Sequence, residues 1–366
     1  MIVSTSLIGI SYAAVIGSFY KGLLKTKPFL VTKESMHKSF SILIALRNEE
    51  NNLAGLFESI LRLDYPKNQY EIIFINDHSE DNSSTLLQEF KAENSNTQIK
   101  ILDNNGIGKK AAISMGVNHS NYDWILTTDA DCRLPIKWIQ AFDTLLQKKE
   151  YKYISGPVSF TNENTFLNQF QSIEFLSLQG STIGSYAIYK PFMSNGANSC
   201  FNKSVFLEQS GYKGNENIAS GDDVFLLEKI ISKYPKDVGF INSLDAIIAT
   251  EPENRWKGLI NQKIRWAAKA TSYKNKTGIF VGAVVFITNL LLLALLLFNW
   301  KIALILFLSK LAIDYVFLKK TSKFFRSKVL FIPYIQSSLL YPFFSVWVFI
   351  LSQFKGFEWK GRTLKK

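Results

Sequence analysis

Cysteine and histidine are scarce in this 366-residue chain, which has only Cys132 and Cys200, and His37, His78 and His119. Two cysteines cannot build a disulfide scaffold, and their spacing fits no zinc-ligand pattern. Three scattered histidines leave little room for an imidazole metal site. No internal repeat or low-complexity segment is visible. The Gly-x4-Gly-Lys-Ser/Thr spacing of a P-loop is missing too. Acidic residues are in the minority: 42 Lys and Arg against 30 Asp and Glu give a net charge of +12. Apolar residues make up 47% of the chain, which excludes a disordered protein. The length suits one large domain or two ordinary ones. A mean hydropathy of +0.05 averages over two different solvents.

Charge is absent from Met1 to Tyr20, and Lys21, Lys25 and Lys27 follow. About 20 apolar residues cross a hydrocarbon core as a helix. Residues 1–22 are therefore expected to span, although Ser4, Thr5, Ser6, Ser11 and Ser18 dilute the run. A signal peptide is the competing reading, but no basic residue precedes the run and no convincing small-residue cleavage site follows it. Residues 277–354 form a second membrane region, with clear apolar runs at 278–298 and 302–318 and a third at 329–354. The run at 302–318 is broken only by Lys310 and Asp314, while Pro333, Gln336 and Pro342 punctuate the third. Basic flanks set orientation. Lys21, Lys25 and Lys27 place the polar domain, residues 38–275, on the cytoplasmic side of a multi-pass protein of the cell (inner) membrane. Lys319, Lys320, Lys323, Arg326 and Lys328 then also lie inside. If the third run spans, the basic tail at 355–366 (Lys355, Lys360, Arg362, Lys365, Lys366) falls outside, against the rule. A re-entrant or interfacial segment reads equally well. These flanks make anionic membrane lipid, not nucleic acid, the expected partner of the positive charge.

Within the polar domain, apolar runs at 40–46, 71–76, 98–102 and 123–128 read as strands. Helical spacing fills 49–63, 84–92 and 109–119 between them. This alternation indicates βαβ units around a parallel sheet, in which ligands bind beyond the carboxyl ends of the strands. Three strands run into chemistry there: Arg47-Asn48-Glu49-Glu50, Asn76-Asp77-His78-Ser79 and Asp129-Ala130-Asp131. Taken singly, such residues commonly cap helices or make turns, and Ser79 or Asp81 would serve that purpose alone. Three carboxylate sites on one rim argue for more. Two carboxylates one residue apart suit a hard divalent cation, Mg²⁺ or Mn²⁺, which keeps positions open for phosphate. Gly106-Ile107-Gly108-Lys109-Lys110 opens a helix with backbone N–H groups and a cation suited to phosphate.

At this point the pattern resembles the inverting, membrane-associated family 2 glycosyltransferases of the cellulose- and hyaluronan-synthase-like group, in its smaller non-channel form. Asn48-Glu49-Glu50 looks like the family's Asn-Glu-Glu element. Asn76-Asp77-His78-Ser79 looks like its Asp-Asp/Asn-Ser element, Gly108-Lys109 with Ala111-Ala112-Ile113 like its Gly-Lys-x-x-Ala-Leu helix, and Asp129-Ala130-Asp131 like its Asp-x-Asp. Further on, Ser220-Gly221-Asp222-Asp223 resembles its acidic pair and Gln262-Lys263-Ile264-Arg265-Trp266 its Gln-x-x-Arg-Trp. Trp359-Lys360-Gly361-Arg362 looks like the tail of smaller members. One departure stands at Ala45-Leu46-Arg47, where the family often has Pro-x-Tyr/Phe before the Asn.

The resemblance implies a GT-A (Rossmann-like) mixed sheet flanked by helices, with transmembrane helices at both ends. It also implies transfer of a sugar, with inversion, from a nucleotide sugar (most often a UDP-sugar) to a hydroxyl of a lipid-linked or cell-surface glycan acceptor. Asn48, Glu49, Asp77, Lys109, Asp129 and Arg265 would bind the donor, and Asp129 and Asp131 the metal. Asp223, beside Asp222, would be the general base, and Arg265 would hold the departing diphosphate. Gln262, Trp266, Asn195 and Gly196 would shape the acceptor side. Blander readings accompany several of these. Asp222 and Asp223 suit the first turn of any helix, Arg265 and Trp266 suit a membrane interface, and Asn195-Gly196 suits a tight turn. Cys132 is expected to be a packed thiol, and His78 a rim residue. A processive synthase subunit and a non-catalytic nucleotide-sugar-binding scaffold are the alternatives.

Overall fold

The computed structural model describes residues 2–31, 37–161, 165–216, 218, 220–270, 272–354, 356–360 and 362–364. Lys355, Gly361, Lys365 and Lys366 of the expected basic tail lie outside the described residues. Helix α1 (Ile2–Lys25) opens the chain. Strands β1 (Phe40–Leu46), β2 (Tyr70–Asn76), β3 (Gln98–Asp103) and β4 (Trp124–Asp129) then alternate with α2 (Glu50–Leu61), α3 (Ser83–Glu93) and α4 (Lys109–His119). These bounds agree with the apolar runs within a residue or two. A less regular stretch follows: β5 (Cys132–Arg133), α5 (Trp138–Lys148), β6 (Tyr153–Ser155), β7 (Val158–Phe160), α6 (Phe166–Ala187), β8 (Ser199–Asn202), α7 (Lys203–Glu208), α8 (Asp222–Lys233), β9 (Val238–Phe240) and β10 (Ile248–Thr250). Helices α9 (Trp256–Ala270), α10 (Lys276–Phe298), α11 (Trp300–Phe324) and α12 (Phe331–Phe354) lead to a hairpin of β11 (Phe357–Trp359) and β12 (Arg362–Leu364).

The main sheet has the order β3-β2-β1-β4-β8-β6-β9. Its first four strands are parallel, and β8 runs antiparallel to both β4 and β6. The sheet is therefore mixed. Side chains of β1 alternate between two cores. Phe40, Ile42, Ile44 and Leu46 pack with α2, α3 and α5, whereas Leu43 faces α4, α6 and the membrane helices. A strand covered on both faces needs an unbroken apolar run, which is what Phe40–Leu46 provides.

The long apolar helices at the two ends of the chain share that second core. Tyr12, Val15, Ile16, Phe19 and Leu23 of α1 are buried in it. Helices α1 and α6 cross at Gly22 and Gly184, where a Cβ on Gly22 would stand 2.2 Å from the Gly184 carbonyl oxygen. Three helices are long and apolar enough to cross a membrane: Val3–Lys25, Lys276–Phe298 and Phe331–Phe354. Helix α11 is equally long but carries Lys310 and Asp314. Those two pair one turn apart, and Tyr12 of α1 donates to the same carboxylate at 2.7 Å, which satisfies polar groups that would otherwise be costly among apolar helices.

The third apolar run is one continuous helix despite Pro342 in its interior. It packs along α9 and α10, and its Tyr334 hydroxyl donates to the Leu311 carbonyl in the middle of α11. At its far end the hairpin is bonded to the rim of the main sheet, through Arg362 to Asp77 and Lys360 to Glu49. Both ends of the segment between the main sheet and the hairpin thus lie together. Such a segment crosses any bilayer an even number of times.

Candidate active site

The ends of β1, β2 and β4 lie side by side in a parallel array, with Leu46 opposite Asn76 and Ala45 opposite Asp129. Glu49, Asp77, Asp129 and Asp131 are therefore delivered to one rim. The β1–α2 and β2–α3 loops are stitched together: the Asn48 side chain accepts from the Glu80 amide at 2.8 Å, and Asp81 accepts from the Glu50 and Ser83 amides at 3.0 Å each. Asp81 does serve the starts of both helices. Asn48 is committed to the loop, with its oxygen facing protein and its backbone at a φ of 52°.

Glu49 and Asp77, expected at the base and ribose, are likewise engaged. Glu49 accepts from Asn52 at 2.7 Å and pairs with Lys360 at 2.9 Å. Asp77 accepts from Asn104 at 2.7 Å, from the Gly108 amide at 3.0 Å and from Arg362 at 2.7 Å. The amide that opens the Gly106–Lys110 turn thus faces a carboxylate of the protein. Arg47, the departure from the family pattern, is buried beneath this rim. Its guanidinium donates to the carbonyls of Asp77, His78 and Lys360 and to Glu80. His78 is an exposed rim residue bonded to the Gly106 carbonyl.

Lys109 links the end of β4 to the acidic pair that opens α8. Its Nζ lies 2.5 Å from Asp129 and 3.5 Å from Asp222. Burial alone would lower its pKa, but Asp129 and Asp222 raise it well above the usual lysine value. Asp222 and Asp223 do occupy the first turn of α8, after Gly221 in the left-handed region at φ 83°. The two carboxyls then diverge. Asp222 is held below the ordinary carboxylate range, since Lys109 and Lys269 outweigh its burial. Burial pushes Asp223 above that range, Asp222 adds to the shift, and Lys269 opposes it. Neighbouring acids driven apart in this way suit different roles. The Gly196 amide donates to Asp223 at 3.1 Å, and Asn195 turns the loop by accepting from the Ala197 amide at 3.0 Å. A Cβ on Gly196 would stand 2.8 Å from Asp222 Oδ2, so a larger residue there would have to displace that carboxylate.

Helix α9, packed on α12, closes the site. Arg265 forms no ion pair among the described residues, although Asp129, Asp222, Asp223 and Glu253 all favour its charge. Burial holds its pKa below the usual guanidinium value. Gln262 Oε1 is buried with no hydrogen-bond partner among the described residues. Trp266 packs against the core with Lys263 4.1 Å over its ring, and Lys263 pairs with Glu174 at 2.6 Å. Its ring is fixed by these contacts.

Lys269, which the motifs do not mark, stands 3.9 Å from Asp223. The signal was available: residue 269 follows 265 by one helical turn, so the two share a face. Arg47 and the two tail cations carried no comparable signal.

Asp131 fits a divalent cation. Its carboxyl is pushed up to about 6 by burial and by the charges of Asp129 and Glu49, and no cation pairs with it among the described residues. Its carboxylate accepts from the Cys132 thiol at 3.6 Å, a buried group whose own pKa burial raises. No cluster of three or more His, Cys, Asp or Glu side chains stands ready among the described residues. Asp129 and Asp131 are the residues that would hold the ion.

The family model for Glycosyl transferase family 2 matches residues 41–208. A poly-beta-1,6-N-acetyl-D-glucosamine synthase of Staphylococcus epidermidis is 29% identical over 270 residues, 69% of this chain and 61% of that protein. The Staphylococcus aureus synthase of the same name is 28% identical over 177 residues, 45% of this chain and 41% of its own. The chain thus aligns with less than two thirds of these relatives. A mannosyltransferase of Pyrobaculum calidifontis, solved with GDP-Man and Mn²⁺, superposes with a TM-score of 0.62 at 16% identity, covering 96% of this chain and 99% of its own. That likeness extends through the C-terminal helices and establishes the fold. Residues 41–208 of the chain thus form a family 2 glycosyltransferase domain on a GT-A fold.

Proposed function

We propose that the protein transfers a sugar, with inversion, from a nucleotide sugar, a UDP-sugar first, to a hydroxyl of a lipid-linked or cell-surface glycan acceptor. The observation that carries this reading is the setting of Asp223, which accepts from the Gly196 amide at 3.1 Å and has Lys269 at 3.9 Å, together with Arg265, a guanidinium with no ion pair among the described residues whose charge Asp129, Asp222 and Asp223 favour. The acceptor oxygen bonds to the anomeric carbon as the bond from that carbon to the donor phosphate breaks. Asp223 takes the hydroxyl proton in the same step, and a raised pKa makes it a better base than a free aspartate. Lys109 and Arg265 receive the diphosphate, the arginine in bidentate fashion. Asp129 and Asp131 would hold Mg²⁺ or Mn²⁺, which would supply further charge neutralisation at the diphosphate; the mannosyltransferase was solved with Mn²⁺. Gln262, Asn195 and Gly196 border the acceptor side, and Trp266 stiffens α9.

The catalytic domain faces the cytoplasm, where nucleotide sugars are made. Helices α1, α10 and α11 cross the inner membrane, with the Lys310–Asp314 pair sealed by Tyr12. Helix α12 dips into the interface and returns the hairpin to the domain, in keeping with an even number of crossings after residue 275. A cysteine placed at Gly356 should therefore label from the same side as one placed at Lys67. The native Cys132 and Cys200 are buried and give little background. Labelling from opposite sides overturns this topology.

A processive synthase is the second reading, favoured by the activity in the names of the staphylococcal relatives. Product length on a single primer separates it from single transfer. The reading as a whole is tested by screening purified full-length protein in lipid nanodiscs against nucleotide sugars. Transfer or donor hydrolysis that is lost in Asp223→Asn is expected. A chain inert to every nucleotide sugar, or an Asp223→Asn protein with full activity, overturns it.

A further inference from the structure

Outside the rim of carboxylates, Glu174 of α6 and Lys263 of α9 form a buried ion pair at 2.6 Å, with side-chain exposures of 10% and 7%. Lys and Glu are almost never buried unless paired. Against apolar residues of the same shape, such a pair contributes little net stability, but it fixes one register between the elements it joins. Lys263 Nζ also stands 4.1 Å from the centre of the Trp266 ring, three residues along the same helix. One ammonium therefore ties α9 to α6 and pins that ring.

Helix α6 grips α9 at two further points. One turn before Glu174, the Gln171 amide makes both hydrogen bonds to the Glu253 backbone: Nε2 donates to its carbonyl at 2.9 Å, and Oε1 accepts from its N–H at 2.9 Å. Glu253 lies in the loop that opens α9. Its carboxylate rests against Gly258, and its charge favours that of Arg265. Phe170 meets Trp256, the first residue of α9, with ring centroids 5.6 Å apart. Residues 170 and 171 precede 174 by four and three positions, so all three share one face of α6. The other half of α6 is anchored elsewhere, with Gly184 against the Phe19 backbone of α1 and Gly180 against Thr321 of α11. Helix α6 thus reaches from the long apolar helices to the helix that carries Gln262, Arg265, Trp266 and Lys269.

We infer that Gln171 and Glu174 are positioning residues for transfer, because α6 acts as a strut that sets the rotation of α9 and with it the placement of Arg265 and Trp266 relative to Asp223. The inference deepens the glycosyl-transfer reading and rests on it. Apolar packing tolerates small rotations of a helix, whereas an ion pair and a two-point amide clamp are directional. A misplacement of about 1 Å is enough to cost on the order of 10²-fold in rate. The acceptor side suffers most from such an error. Its oxygen must approach the anomeric carbon in line, while Lys109, on α4, does not move with α9.

The test uses full-length protein in nanodiscs with the nucleotide sugar that the wild type accepts, and compares transfer, donor hydrolysis and binding of UDP or GDP. In Glu174→Leu with Lys263→Met both charges go, so no unpaired charge stays buried and the Tm should hold. Transfer kcat should still fall by about ten-fold or more, and the ratio of transfer to hydrolysis with it, while the nucleotide Kd stays within about three-fold. Water needs no acceptor mouth, so a mere loss of folded protein would lower both reactions alike and leave the ratio unchanged. Gln171→Leu should lower the ratio in the same direction. Glu174→Lys with Lys263→Glu restores the pair and should recover part of the transfer that Glu174→Lys alone loses. That recovery is incomplete because a carboxylate then lies beside Trp266. Should the apolar variant fail to fold, the charge-swapped pair carries the test. Wild-type kcat and ratio in the apolar variant overturn the inference, as would Tm and transfer that fall together at an unchanged ratio, or a charge-swapped pair no better than Glu174→Lys. A wild type inert toward every nucleotide sugar would overturn the glycosyl-transfer reading itself.

Discussion

Lys269 Nζ stands 3.9 Å from Asp223 Oδ1, one helical turn beyond Arg265 on the same face of α9. The helix that leads into the membrane segments therefore places one cation beside the proposed base and another over the proposed leaving group. Removing Lys269 withdraws an opposite charge from Asp223, which raises its pKa further. A base must be unprotonated to act, so activity falls as pH drops through that pKa. Lys269→Met is expected to move the acid limb of the kcat/KM profile to higher pH, as read from the pH dependence of transfer. An unmoved limb would separate Lys269 from the base.

Asp223 also bears on stability. Its folded pKa is raised above the unfolded value, so the folded state disfavours its charged form. That contribution to stability is greatest below the unfolded pKa and is lost as pH rises through the folded one. Asp223→Asn should abolish transfer, by about 10²-fold or more, without lowering the Tm at neutral pH. A large fall in Tm would make Asp223 a structural residue.

Among the described residues Arg265 has no ion pair to lose. Arg265→Ala should therefore leave the Tm nearly unchanged but weaken donor binding by about 10- to 100-fold, as expected for lost charge-assisted hydrogen bonds. Arg265→Lys should rescue little, because an ammonium lacks the bidentate fork. The donor KM and nucleotide titration measure both.

Gly196 and Gly184 test close approach in two places. A Cβ on Gly196 meets Asp222 Oδ2 at 2.8 Å and Lys109 Nζ at 3.1 Å, so Gly196→Ala should lower kcat by displacing the acidic pair. On Gly184 a Cβ meets the backbone oxygen of Phe19 at 2.4 Å, which cannot swing aside. Gly184→Val should cost about 1–3 kcal/mol by overpacking and loosen α1 from α6, read as a lower Tm in detergent.

Metal removal should act through Asp131. Chelation by EDTA is expected to weaken nucleotide binding, and Mg²⁺ or Mn²⁺ to restore it. Asp131→Asn should make binding weak and indifferent to EDTA. Wild-type binding that ignores chelation would remove Asp131 from the metal assignment.

Strands β1 to β4 and helices α2 to α4 were legible because each is long enough to repeat its pattern. The later strands β5 to β10 span two to four residues each, too few for alternation to register, so antiparallel β8 emerged only from its pairing. Among the expected site residues, Lys109, Asp129, Asp222, Asp223, Gly196 and Arg265 converge. Asn48, Glu49 and Asp77 reach the same rim but are engaged by protein groups, and Trp266 is pinned beneath Lys263.

Local chemistry belonged to the sequence alone: strand-end carboxylates, an acidic pair opening a helix, and apolar runs long enough for a bilayer. Those features depend on residues a few positions apart, where spacing dictates geometry. The tertiary structure decided which charges meet. Arg362 reaches Asp77 across 285 residues, and Lys360 reaches the Asn48 loop across 312. No periodicity encodes contacts that long, because they depend on how the membrane helices fold back. That return covers acidic side chains of the rim with tail cations and brings the tail back onto the main sheet.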